Sequence, residues 1–338
     1  MLQRPHALVD SAAAHGRSEL ERLDYLDGWR GIAIALVLQA HFAGTRLFYS
    51  GAAGVDVFFC LSGLLMANLL FVRRVPLGEF YRRRISRIIP VFLLFVVCAY
   101  ALAILQSVEF TGTEVAATLT FLRTYLPAAP GIWDTHVSIQ HLWSLNVEEH
   151  SYIFLGFVTL LPWLQRREGW PLIATGLVAI LMAVFYVELP DVAPHSGELG
   201  TEVNGGNILL AAGYCLVRKR FVRFVRPWMP LAAFAFAMIC YTNLLPWWSN
   251  MLLAPPLLAF SVNHMSEAPA RVRELLALPL LRLLGIWSYS IYVWQQPFYL
   301  SRHALPPGVA FTLALAAGLL SFYLFENPVR AWLNRKMA

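Results

Sequence analysis

Long apolar runs, with most of the charge gathered into the short stretches between them, constrain this chain more than any other feature. A helix needs about 20 mostly apolar residues to cross a bilayer. Ten spans can be drawn, at 29–48, 54–72, 88–106, 147–165, 171–188, 205–217, 229–246, 249–264, 279–300 and 308–325. Composition agrees: 58% of residues are hydrophobic and 14% charged, against about half and a quarter in soluble domains. The expectation is an all-α integral membrane protein with about ten transmembrane helices. Residues 113–126 are apolar but short and carry Arg123, so they read as a re-entrant or interfacial segment on the outer side.

Charge sets the orientation. The net charge of +6 does not call for nucleic acid, because Lys and Arg of membrane proteins collect in cytoplasmic loops. With 113–126 outside, the loops holding Arg73, Arg74 and Arg82–Arg87 fall inside. So do Arg166 and Arg167, the group Arg218–Arg226, and Arg271 and Arg273. Both termini are then cytoplasmic, and of 26 Lys and Arg only Arg46, Arg123 and Arg302 land outside. Residues 1–22 read as a polar cytoplasmic tail without the pattern of a signal peptide, 23–332 as the membrane domain and 333–338 as a second tail. Cys60, Cys98, Cys215 and Cys240 lie in apolar runs and read as small apolar packers.

The chemistry starts at "LDGWRGIAIALVLQAHF", residues 26–42. Eleven residues separate Arg30 from His41. That is within about 20° of three helical turns, so the two share a face roughly 16 Å apart. Ionisable groups in a span are costly unless paired or hydrated. The alternative has Arg30 snorkelling to the inner interface and His41 as a satisfied core histidine. In "FYRRRISRIIP" (80–90), Arg84 and Arg87 are helical neighbours, with Arg82 and Arg83 beside them. Guanidinium forks suit phosphates, and a basic loop also suits anionic lipid. Asn146 and Glu149 fit a capping box, which leaves Glu148 as the carboxylate for chemistry. Asp56 is either an N-cap or functional. His41, Asp56 and Glu148 all fall in the outer half of this topology. A carboxylate on one imidazole nitrogen would raise the basicity of the other. Glu326, at the inner end of the last span, opposes the helix dipole and calls for a cation from Arg84, Arg87 or Arg330. Ser62–Gly63 reads as a close helix approach. His136, His141, His150 and His195 lack metal-ligand spacing.

The same stretches carry a resemblance. "LDGWRGIAIALVLQAHF" resembles the Arg-x10-His signature of acyltransferase family 3, the polytopic membrane O-acyltransferases. "GVDVFFCLSGLLM" (54–66), "FYRRRISRIIP" (80–90), "HLWSLNVEEHSY" (141–152), "WSYSIYVWQQP" (287–297) and "FENPVR" (325–330) are similar to further motifs of that family, in order. Gln295 stands where the family often has histidine, and His150 where it often has glutamine. The resemblance implies transfer of an acyl group, often acetyl, from cytoplasmic acyl-CoA to a hydroxyl of a carbohydrate or related acceptor. It implies no permanently bound cofactor. It supports Arg83, Arg84 and Arg87 as donor ligands with Arg30, and His41 as the base, oriented by Glu148 or Asp56. A variant scheme passes through an acyl-histidine. The rival reading is a transporter or flippase for a glycan or lipid-linked substrate, against which the sequence shows no inverted repeat.

Overall fold

The computed structural model describes residues 6–44, 47–162, 168–190 and 197–336. Among them there is no strand, only one isolated bridge between Phe48 and Thr242. The helices are α1 (His6–Ala43), α2 (Ser50–Ala67), α3 (Leu77–Leu105), α4 (Gly112–Leu119), α5 (Trp143–Val158), α6 (Trp170–Glu188) and α7 (Thr201–Val217). They continue as α8 (Met229–Cys240), α9 (Trp248–Leu252), α10 (Ala254–His264), α11 (Ala270–Leu276), α12 (Pro279–Leu300), α13 (Pro307–Ser321) and α14 (Asn327–Lys336). Wide π turns extend α2 to Val72 and join α13 to α14.

Helix lies at each of the ten expected spans, yet among the described residues four helices are long and apolar enough to cross a membrane by themselves. These are Ser50–Val72, Leu77–Leu105, Trp170–Glu188 and Pro307–Lys336. The bent pair α11–α12, turned by 53°, makes a fifth. Length explains part of the shortfall. The 11 residues of α10 rise only about 16 Å, where the hydrocarbon core is about 30 Å thick. Polarity explains α1, whose hydropathy is lowered by Asp27, Arg30, Gln39 and His41. Residues 6–22, expected as a tail, continue α1 as helix. The Arg-rich stretch 80–87, expected as a loop, is helical in α3.

Residues 113–126 do not span. Their helix α4 has eight residues, opened by a capping box between Thr111 and Glu114. Arg123 is fully buried there, bonded to Glu114 Oε1 at 3.0 Å and to the carbonyls of Pro130 and Gly131. A buried cation so paired is a fixed element of this segment. Of the four thiols, Cys60 and Cys240 are buried, Cys215 is half-buried and Cys98 is exposed on the outer face of α3.

Helix pairing positions the site. α1 packs along α12, α2 along both α1 and α7, and α6 along α7. Small residues make these approaches close. A Cβ at Gly285 on α12 would collide with the Asp27 carbonyl oxygen, and one at Gly63 on α2 with that of Ile208. Contacts from Asp27–Gly285 through Arg30–Ser288 to His41–Gln295 ascend both helices together, so α1 and α12 run parallel.

Candidate functional site

The polar face of α1 meets the polar face of α12 at two levels. At the first, Arg30 Nη2 donates to Ser288 Oγ at 3.2 Å. At the second, His41 Nδ1 lies 2.6 Å from Gln295 Oε1, and its ring stacks on Tyr299 with centroids 4.2 Å apart. An amide oxygen only accepts, so His41 Nδ1 carries the proton in this bond. Its Nε2 is then the lone-pair nitrogen, the atom a general base needs. Gln295, a departure from the resembling pattern, is thus the residue that orients His41.

Arg30 also lines a cavity of about 110 Å³ shared with Ser62, Arg84, Arg87, Glu148 and Tyr152. Ser144, Ser288, Tyr289 and Tyr292 close its walls. Arg84 is the hub. It meets Glu149 Oε1 at 2.9 Å and Glu148 Oε2 at 3.4 Å, and its guanidinium lies 3.4 Å over the Tyr152 ring. Glu148 Oε1 accepts from Ser62 Oγ at 2.9 Å. Arg87, three residues on, faces the same cavity and has no carboxylate at ion-pair distance among the described residues. Arg83 points away: two-thirds of its side chain is exposed, and it pairs with Glu79 one turn back. The helical phase decides this, since Arg83 sits about 100° from Arg84.

Glu148 and Asp56, the two carboxylates expected with His41, are not at His41. Glu148 is held by Ser62 and Arg84, while Asp56 belongs to a second cavity, where Asn207 Nδ2 donates to Oδ1 at 2.6 Å and Tyr241 Oη to Oδ2 at 2.5 Å. Glu148 shares its cavity with Arg30, Arg84 and Arg87, about three helical turns along α1 from His41, so it is not at the level expected for it. The direction each helix face takes is not legible in one segment. α5 turns Glu148 toward α2 and α3, and α2 turns Asp56 toward α7. Neither expected cap, Asp56 nor the Asn146–Glu149 box, forms. α2 begins at Ser50 and α5 at Trp143, so Asp56 and Asn146 lie inside their helices. The Asn146 amide meets Thr124 Oγ1 at 2.8 Å, and Glu149 is spent on Arg84. Glu326 is buried, accepting from Ser290 Oγ at 2.6 Å, with Arg330 3.7 Å away.

His141, set aside in the sequence, belongs to the site. Pro297 has no N–H, so the Val293 carbonyl lacks its helical donor, and His141 Nε2 lies 3.0 Å from that oxygen. The bond leaves Nδ1 of this 4% exposed ring as a buried lone pair without a partner among the described residues. Gln295 Nε2 is the complementary orphan, a buried donor without an acceptor among the described residues. The signal was in the sequence: a proline inside an apolar span frees a carbonyl four residues back. Tyr292 ties this group to the first cavity, its hydroxyl bonded to Ser144 Oγ and to the His141 carbonyl. His150 meets Thr201 Oγ1 instead. His195 and Arg46 lie outside the described residues, and among those described no three metal-ligating side chains come together.

Residues 23–327 match the model of a family described as an acyltransferase domain. "Putative peptidoglycan O-acetyltransferase YrhL" of Bacillus subtilis is 26% identical over 349 residues, covering 90% of this chain and 54% of that protein. Peptidoglycan O-acetyltransferase OatA of Listeria monocytogenes is 22% identical, covering 90% and 55%. A protein named "Putative O-acetyltransferase" from Staphylococcus aureus (strain COL) is 24% identical, covering 90% and 57%. The chain therefore spans a little over half the length of these relatives. No solved structure matches.

Proposed function

The chain belongs to this acyltransferase domain family, and on that premise we propose that it is a membrane O-acyltransferase of the inner membrane. It moves an acyl group, acetyl in the first instance, from cytoplasmic acyl-CoA to a hydroxyl of a carbohydrate acceptor on the outer side. It does so within ten spans whose ends are both cytoplasmic. The observation that carries the reading is the shared polar face of α1: Arg30 opens into a cavity with Arg84 and Arg87, and His41 is held by Gln295 with its basic nitrogen free.

Arg30 and Arg87 are the anion ligands of the donor, since among the described residues neither has a carboxylate at ion-pair distance. Arg84 sets the position of Glu148 and reaches the donor only by exchanging a carboxylate for a phosphate. A cavity of about 110 Å³ is below the size of a whole-cofactor site, so it suits the acyl-pantetheine arm, with the nucleotide left toward the cytoplasm. The arm passes the Ser144–Tyr292 pair to bring the thioester to the level of His41. There His41 Nε2 takes the acceptor hydroxyl proton as the oxygen attacks the thioester carbon. The tetrahedral intermediate collapses, the carbon–sulfur bond breaks, and the thiolate leaves with the proton that His41 held. Ester and free thiol are the products.

The test is thiol release by the purified protein in detergent, supplied with acetyl-CoA with and without acceptor glycan. Consumption of thioester that depends on His41 is the expected result. Transport of a glycan without loss of thioester would replace the reading with the flippase.

A further inference from the structure

We propose that the cavity around Asp56 is a carbohydrate subsite that holds one neutral pyranose ring of the acceptor chain, apart from the ring that reacts. The proposal deepens the acyltransferase reading and rests on it for the identity of the ligand as acceptor.

The cavity measures about 240 Å³, twice the first one, and lies between the N-terminal halves of α2 and α7, the start of α5, and α6, α9 and α10. Its space equals about eight waters, room for a single sugar ring. Under the ten-span topology it lies on the outer side, where an acceptor glycan would arrive. Its polar lining is Asp56, Asn204, Asn207, Tyr241 and Asn250. Asp56 has no cation at ion-pair distance among the described residues, and each carboxylate oxygen receives one hydrogen bond. Two oxygens offer about four acceptor positions, so about two remain for a ligand. Asn250 is on the same wall, and its Oδ1 is buried without a partner among the described residues. Unmet acceptors in a walled cavity call for a ligand rich in O–H donors. The apolar part of the wall includes the indole of Trp143, which also packs edge-on against Phe59. A carboxylate, amides and an aromatic plate around one ring-sized space match the alternating hydroxyls and C–H faces of a pyranose.

The second cavity adjoins the first. Val55 lines both, and Trp143 and Ser144, consecutive on α5, face one cavity each. A glycan held here is therefore anchored one wall away from the donor, which fits a subsite that sets register along the acceptor chain.

Saturation-transfer NMR on the purified full chain tests this with chitotetraose, cellotetraose and maltotetraose as probes. At least one should bind saturably. Asp56→Asn and Asn250→Ala should weaken that binding by about one decade each, as loss of a buried hydrogen bond does. Val203→Trp, which fills the cavity without removing a polar group, should abolish it. Acetyl-CoA affinity, measured on the same samples, should stay within twofold and reports that each variant is folded. No binding by any probe to protein that binds acetyl-CoA overturns the subsite, as does binding indifferent to all three substitutions. Binding of the fully de-N-acetylated, cationic chitosan tetramer in place of the neutral probes also overturns it, in favour of an amine site. Probe binding as described in a protein that ignores acetyl-CoA would leave the subsite standing and remove the acyl-CoA reading.

Discussion

At the scale of single residues, the site divides into a base with its holder and a set of arginines with unequal freedom. His41→Ala should lower turnover by about two to four decades, the worth of a positioned general base. Acetyl-CoA binding should stay near normal, because three helical turns separate His41 from Arg30. Gln295→Leu should lower turnover less, since the imidazole remains but loses the bond that fixes its tautomer. Single-turnover acyl transfer measures both; an active, folded His41→Ala protein would remove the base from the scheme. Arg87→Ala should weaken donor binding by about one to two decades, for a lost charged hydrogen bond, with thermal stability nearly unchanged. Arg84→Ala should differ by destabilising the fold, by about 3–5 kcal/mol, because it strands Glu148 and Glu149 in a mostly buried place. Donor titration paired with thermal denaturation in detergent separates the two arginines. Equal effects on both readouts would show that the ion-pair network does not distinguish them.

At the scale of helices, function depends on how closely α1 and α12 approach. Gly285 faces the Asp27 carbonyl with no room for a methyl group, while Gly308 at the start of α13 faces open space. Gly285→Ala should therefore cost about 1–3 kcal/mol through overpacking. It should also reduce transfer, because it levers Ser288 and Gln295 away from Arg30 and His41. Gly308→Ala should be neutral or slightly stabilising, as alanine is the better helix former. Melting temperatures of the pair check this, and equal melting would show that the interface has slack. Pro297 acts at the same scale: a helix defect that weakens α12 supplies the carbonyl that His141 uses.

At the scale of the whole molecule, topology is the property most open to test. Arg73, Arg74, Arg218 and Lys219, expected on one side from their loops, line a single space of about 520 Å³ at the C-terminal ends of α2 and α7. Asp56 and Asn207 meet toward the other ends of the same two helices. In a background without native cysteines, Gly112→Cys and Asp134→Cys should react with an impermeant thiol reagent in spheroplasts, and Arg82→Cys should react only after lysis. Labelling at residue 82 in intact cells would invert the molecule. It would place the arginine cavity on the wrong side for a cytoplasmic donor.

What the sequence determined by itself was the helical class and the Arg30–His41 stripe. Hydropathy and the 3.6-residue period are local properties, readable within one helix at a time. The family was legible for a similar reason, because its motifs are short and their order survives without coordinates. Partner choice was decided only by tertiary structure. Glu148 was expected beside His41, yet α5 brings it to the Arg30 cavity and to Arg84, about three turns from His41 along α1, where His41 meets Gln295. Asp56 was assigned to the same cluster and stands in a different cavity, because α2 presents opposite faces to α1 and α7. Helix rotation is set by packing contacts summed over several neighbours, the close glycine approaches among them, and no single segment encodes that sum.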